Sequence, residues 1–303
     1  MVALIDQYRK TLLKVNGFAP STVDTYTINI KAFCNFAKKE LHIAPVNVRG
    51  PQLLKWILYL KNTGIGYSRI ESHHYALKSF YAFLQKSGDI TSNPAQALPF
   101  LITRRRQVTK PISSKDAFKL LDSFDQSTWH GIRNYTMVSL LWALGLRTSE
   151  LTGLKVRSFE TGHGIRIGLL RVHGKNKKQR ALFVVDRLFD ELMRYLAHPK
   201  APGKKSAPLF LADTKTTAIS NNRVQRIVKD QAKKAGIVAG VTPRALRHSF
   251  ATEMYHCGVP LSDIQVMMGH DSIADTSIYI HVSDKLKQLA LDQILISRRL
   301  SWQ

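Results

Sequence analysis

Apolar residues recur at spacings of three and four through most of this chain, a pattern that predicts a mainly helical protein. Near the N-terminus it runs from Leu4 to Val15. It resumes through Val23, Tyr26, Ile30, Phe33 and Ala37, with Ser21 and Asp24 as the expected opening of a second helix. Pro51 suits the first turn of a third helix whose apolar face carries Leu54, Ile57 and Leu58. Ser68 and Glu71 open a fourth, with Ile70, Leu77, Phe80, Tyr81 and Leu84 on one face and a stop near Gly88 and Pro94. Between Pro99 and Pro111 the period fails. The expected division is a helical domain over residues 1–98, a linker over 99–111 and a second domain over 112–303.

The second domain begins with helical signals, Ser113 and Asp116 ahead of Phe118 to Leu121, then a long apolar segment from Tyr135 to Leu146. There the period shortens to two. Ile165, Ile167, Leu169 and Val172 alternate, residues 173–179 are polar and cationic, and Ala181 to Val185 read as a second strand. This predicts a two-stranded hairpin with lysines at its tip. Helical spacing returns at 186–197, 221–235, 244–257, 261–268 and 284–300. The fold class is mainly α with a small β-hairpin or sheet, a helical domain followed by a mixed α+β one. No internal repeat, glycine-rich phosphate loop or low-complexity tract interrupts it.

Charge changes the picture more than size does. The 303 residues hold 45 Lys and Arg against 21 Asp and Glu, a formal charge of +24. The excess is no tail: residues 1–100 carry 12 cationic and 5 acidic side chains, the remainder 33 and 16. Such a balance calls for a polyanion partner. The linker adds Arg104, Arg105 and Arg106, a triplet suited to crossing a phosphate backbone. Only Cys34 and Cys257 occur, far apart, which argues against a structural zinc site, and no metal is expected. No apolar run reaches the roughly 20 residues of a membrane-spanning helix, and the N-terminus lacks the order of a signal peptide. A reducing cytoplasm is the expected compartment.

Candidate chemistry centres on Tyr279, within Ser277-Ile278-Tyr279-Ile280-His281 and nine residues after Met268-Gly269-His270. A phenol with a pKa near 10 is a poor nucleophile at neutral pH unless cations or a base surround it. Arg147 follows the apolar run ending at Leu146, where a charge needs a partner or a ligand. Glu150 lies one helical turn on and is placed to pin it. Arg244 and Arg247, three apart, are expected to share a helix face and aim at one anion, whose geometry a phosphodiester matches. Lys175 sits at the hairpin tip with Lys177 and Lys178. His248 and His281 border these residues and are read as structural. Cations, a histidine and a tyrosine in this order point to chemistry on a phosphate.

These segments resemble the catalytic domain of the tyrosine recombinases, the phage-integrase and Xer family. Gly145-Leu146-Arg147-Thr148-Ser149-Glu150-Leu151 carries the first arginine and the accessory acid, and Lys175 matches the hairpin lysine. Leu246-Arg247-His248-Ser249-Phe250-Ala251-Thr252 carries the second arginine; Met268-Gly269-His270 and Tyr279 complete the set. The first domain resembles that family's SAM-like core-binding domain by helix pattern and length. The resemblance implies a site-specific recombinase that cleaves and rejoins DNA through a 3'-phosphotyrosyl bond on Tyr279, with no cofactor, metal or ATP. It implies Arg147, Arg247 and His270 as phosphate donors and Lys175 as general acid. Its partners are double-stranded recombination sites and further copies of the chain, a tetramer in the synaptic complex, on the nucleoid. The terminal helix over 284–300 is expected to dock either on a neighbouring subunit or within its own domain.

One position departs from the pattern. Arg244 stands where the family usually has histidine, and an arginine with a pKa above about 12 cannot act as a base. It is expected instead to add a phosphate contact and favour the Tyr279 phenolate by its field, with Glu150 holding it in place. Two other readings stay open at this point: strand relaxation of the type IB topoisomerase kind, and a catalytically weakened DNA-binding architectural protein.

Overall fold

Four helices carry the N-terminal apolar pattern in the computed structural model: α1 (Val2–Lys14), α2 (Pro20–Glu40), α3 (Gly50–Asn62) and α4 (Tyr67–Lys86). The structure describes residues 2–96, 98, 111–162, 166–174, 179–213, 216–238 and 240–269, and the chain divides into two units, 1–107 and 108–303.

In the first unit the buried residues are those the 3.6-residue period selects, with three corrections. The second helix starts a residue early, with Pro20 in its first turn, and Asp24 pairs with Arg9 at 2.9 Å instead of serving as a cap. The fourth starts at Tyr67 after Gly66, so Ser68 and Glu71 lie inside it. The third buries Leu53, Trp56, Ile57 and Leu60, while Leu54 and Leu58 stay 41% and 55% exposed. The Trp56 indole decides that rotation: it packs against Phe36 and Phe33 at ring separations of 4.9 and 6.0 Å, and a buried aromatic contributes more than a leucine. Tyr81 is fully buried, and its hydroxyl donates to the Pro45 carbonyl at 2.9 Å.

The second unit holds α5 (Ser114–Asp122), α6 (Trp129–Ala143), α7 (Thr148–Gly153), α8 (Asp186–Leu196), α9 (Asn221–Lys234), α10 (Pro243–His256) and α11 (Leu261–Met268). Ser113 Oγ caps α5 by accepting from the Asp116 amide at 3.1 Å, as its sequence predicts. The sheet is antiparallel with three strands, β1 (Phe159–Glu160), β2 (Ile167–His173) and β3 (Gln179–Val185), in that order; β2 and β3 are the two strands expected from the sequence, and β1 adds a short third. A strand of two residues is too short to show a period. Leu170 and Val172 of β2 and Leu182 and Val184 of β3 face the core, where Met137, Leu140 and Leu141 of α6 are fully buried. A smaller apolar cluster, Phe250, Met254, Val259, Ile264, Met267 and Met268, joins α10 to α11.

Within this core sits an arginine, Arg133, with a side chain only 1% exposed. It donates to the Leu211 carbonyl at 2.8 Å and to Asp213 at 3.0 Å. Among the described residues no helix is long and apolar enough to cross a membrane.

Candidate active site

Two glycine turns and the start of one helix bring the site together. After α6 the chain reverses at Gly145, whose φ is +58°. A Cβ there would lie 2.4 Å from the Phe250 ring, so a side chain is excluded both by conformation and by space. Two residues on, Arg147 occupies the N-cap position of α7. Far downstream, α11 ends in a left-handed residue, Gly269, at φ +60°, the usual glycine stop for a helix.

Glu150 is the hub. Its carboxylate is buried, 2% exposed, and accepts four hydrogen bonds. The Arg147 backbone N–H reaches Oε2 and the Arg147 Nη1 reaches Oε1, both at 2.8 Å. From β3, Arg180 Nη1 reaches Oε1 and Nη2 reaches Oε2, again at 2.8 Å. Arg247 Nη1 stands 3.7 Å from Oε2, a charge contact without a hydrogen bond.

The two outer arginines are aimed by main-chain carbonyls. Arg147 Nη2 donates to the Gly269 carbonyl at 2.7 Å, and Arg247 donates to the carbonyls of Gly145 at 2.6 Å and Met268 at 2.5 Å. Met268 and Gly269 close the C-terminal end of α11, where unpaired carbonyls and the helix dipole favour cations. Arg147 remains 33% exposed, whereas Arg180 and Arg247 are each 10% exposed.

Protonation follows from this packing. Burial by itself pushes the Glu150 carboxyl up, but the hydrogen bonds and charge of Arg180, reinforced by Arg147, override it and hold the group down at about 2. Burial also pulls the Arg247 guanidinium down, helped by repulsion from Arg147 and opposed by Glu150, to about 10. Glu150 and Arg247 are therefore both ionised at neutral pH. Three cations against one anion leave a local surplus of two positive charges, and cations held this close are costly unless a further anion joins them.

Of the residues singled out in the sequence, Arg147, Glu150 and Arg247 are brought together. Arg244 is not: it lies exposed in the first turn of α10 and makes no hydrogen bond or ion pair among the described residues. Nor does Glu150 hold Arg244, because its acceptor sites are filled by Arg147 and Arg180. Lys175, Lys177, Lys178, His270, Tyr279, the arginines at 104 to 106 and the terminal helix lie outside the described residues. Arg180 was missed. A signal existed: on a strand it is in phase with Leu182 and Val184, which are buried, so it faces inward. Among the described residues no three His, Cys, Asp or Glu side chains gather as a metal site would require.

The second unit is thus mainly helical with a small sheet, and it holds a buried carboxylate ringed by three guanidiniums. Residues 110–285 match the model of the Phage integrase family, and residues 5–88 match that of the phage integrase N-terminal SAM-like domain. The chain belongs to the phage integrase family, the tyrosine recombinases. Among its relatives, tyrosine recombinase XerC of Thermodesulfovibrio yellowstonii is 31% identical over 89% of this chain and 88% of its own length. The XerC of Herpetosiphon aurantiacus is 30% identical over 92% and 90%. Among solved structures, lambda integrase residues 75–356, as a dimer bound to a COC' core site, has a TM-score of 0.67 at 17% identity, covering 91% of this chain and 98% of that one. XerH recombinase bound to difH substrate has a TM-score of 0.64 at 20% identity, covering 92% and 84%. These two likenesses concern the fold.

Proposed function

We propose that this chain is a site-specific DNA recombinase that cleaves and rejoins strands through a covalent bond between Tyr279 and a 3'-phosphate. The helical unit over 1–98 and the basic linker over 99–111 serve in gripping the duplex, and 112–303 is the catalytic domain. The observation that carries this reading is the ring of Arg147, Arg180 and Arg247 around Glu150, whose surplus of two charges suits a phosphodiester. The chain's +24 charge favours the same partner.

In the proposed reaction the Tyr279 oxygen attacks phosphorus, forming the phosphotyrosyl bond as the bond to the 5'-oxygen breaks. Lys175 gives its proton to that leaving oxygen. Charge growing on the nonbridging oxygens is met by Arg147, Arg247 and His270; the two arginines are held by hydrogen bonds before the reaction begins. Cationic side chains thus take the part that a metal plays in other phosphoryl transfers. The ester energy is kept in the phosphotyrosine, so the 5'-hydroxyl of a partner strand reverses the step without ATP. Arg244, exposed and without a described partner, supplies a field that favours the phenolate of Tyr279. Strand exchange between two sites needs four such subunits, a tetramer on the nucleoid.

A suicide DNA duplex, nicked so that the 5'-hydroxyl fragment is lost after cleavage, tests the reading. Wild-type protein should form a covalent 3' adduct and Tyr279→Phe should form none while still binding DNA. An adduct that persists in Tyr279→Phe removes the nucleophile, and relaxation of supercoils without strand exchange would indicate a topoisomerase instead.

A further inference from the structure

We propose that Arg180 is a positioning residue for strand cleavage: from the strand after the hairpin tip it locks the Glu150 carboxylate in place, and through it the two arginines that meet the phosphate. The inference rests on the cleavage reading above and adds a residue to it.

The geometry of the lock is specific. A carboxylate offers about four acceptor sites, and Arg180 fills two of them with a pair of parallel bonds at 2.8 Å. The other two go to the Arg147 backbone and side chain. Among the described residues the buried Nε–H of Arg180 has no acceptor, so the two-pronged contact with Glu150 is what sets the side chain's orientation. A lysine could supply the charge but only one such bond, since the fork belongs to guanidinium. Arg180 also touches the far wall of the site: a Cβ on Gly269 would stand 2.8 Å from its Nη1, so the guanidinium packs directly under the turn whose carbonyl aims Arg147.

Loss of Arg180 would leave Glu150 as buried as before with half its hydrogen bonds gone. The charged groups that face Glu150 among the described residues are Arg147 beside it in sequence, Arg180 on β3 and Arg247 on α10. With Arg180 removed, burial regains weight and the carboxyl titrates upward from about 2. Once protonated, Glu150 neither attracts Arg247 nor accepts fully from Arg147, and both arginines lose their common anchor. A residue that only stabilised the fold would lower the melting temperature without creating a new titration in the reaction.

The test is single-turnover cleavage of a suicide duplex by the full chain between about pH 5.5 and 8.5, for wild type, Arg180→Lys, Arg180→Gln and Arg180→Gln combined with Glu150→Gln. Relative to wild type, Arg180→Gln should acquire an acid limb, its rate falling towards the limiting tenfold per pH unit of a single protonation. Arg180→Lys should show a weaker limb. The double variant should be slow at every pH and have no added limb. Profiles parallel to wild type in both single variants would overturn the proposal, as would a limb that survives in the double variant. If Arg180→Gln does not fold, the Arg180→Lys profile decides alone. Absence of any adduct from wild type would instead defeat the cleavage reading, which separates the two failures.

Discussion

The carbonyl of Gly269 accepts a hydrogen bond from Arg147 Nη2 at 2.7 Å, joining the start of α7 to the end of α11 across 122 residues of sequence. Glycine is needed there twice over. Its φ is +60°, and a Cβ would approach Arg180 Nη1 to 2.8 Å and Arg147 Nη1 to 3.4 Å.

Gly269→Ala should therefore damage activity more than stability. The left-handed backbone costs an alanine about 1–2 kcal/mol, which a urea titration would register as a modest shift in midpoint. Displacing the two guanidiniums by even part of an ångström should lower single-turnover cleavage by about tenfold to a hundredfold. Wild-type cleavage in this variant would show that the Gly269 turn does not aim Arg147.

Acid should weaken the second unit through Glu150. The carboxyl is held at about 2 in the folded state against an ordinary 4.5, so its contribution is fully present above about pH 4.5 and disappears as the pH falls through about 2. Its size is on the order of 3 kcal/mol. Urea titrations of wild type and Glu150→Gln should show a wild-type advantage near pH 6 that shrinks steadily below about pH 4.5. An advantage that does not change down to pH 2 would mean that Glu150 is not anchored as an anion.

How much of this could be read in the sequence depended on how far apart the partners lie. Arg147 and Glu150 are three residues apart, so their pairing was legible from helical spacing alone. Arg247 was legible through the segment around it, but its burial was not: which side of α10 turns inward is set by α6 and α11, and Arg244, three residues earlier, ends up in solvent. Arg180 escaped because its partner is 30 residues away and the strand was counted only from Ala181, although its phase with Leu182 and Val184 was there to be read. The face of α3 follows Trp56 rather than Leu54 and Leu58, because the indole's packing against Phe33 and Phe36 outweighs what a leucine would bury.

Arg244→His tests the proposed field of Arg244 by placing there a side chain that can act as a base. If the field of Arg244 activates Tyr279, the variant should cleave about a hundredfold more slowly near neutral pH and recover part of that loss as the pH rises towards the phenol's ordinary pKa near 10. Cleavage at or above the wild-type rate would mark the arginine as tolerated drift. DNA affinity measured alongside separates loss of binding from loss of chemistry.

Arg133→Leu tests the other cation hidden in this unit. Its side chain is 1% exposed and ties α6 to the Leu211 carbonyl and to Asp213. The leucine leaves that carbonyl without its buried donor and Asp213 without its buried partner. Asp213 is half exposed and can turn to water, so the loss should be near 2–4 kcal/mol, below that of a fully buried pair. Thermal or urea unfolding measures it; a loss under about 0.5 kcal/mol would show that the contacts of Arg133 contribute little net stability.

Among the described residues, the acceptors that aim Arg147 and Arg247, apart from Glu150, are all main-chain carbonyls: Gly145, Met268 and Gly269. Every residue type has a carbonyl, so mutation cannot delete these acceptors, only bend the backbone that carries them. Side chains next to these carbonyls can therefore vary so long as the backbone keeps its course. Beyond its arginines the site depends on a short inventory of shape: two glycines that permit the turns, one carboxylate, and helix ends that stop in the right place.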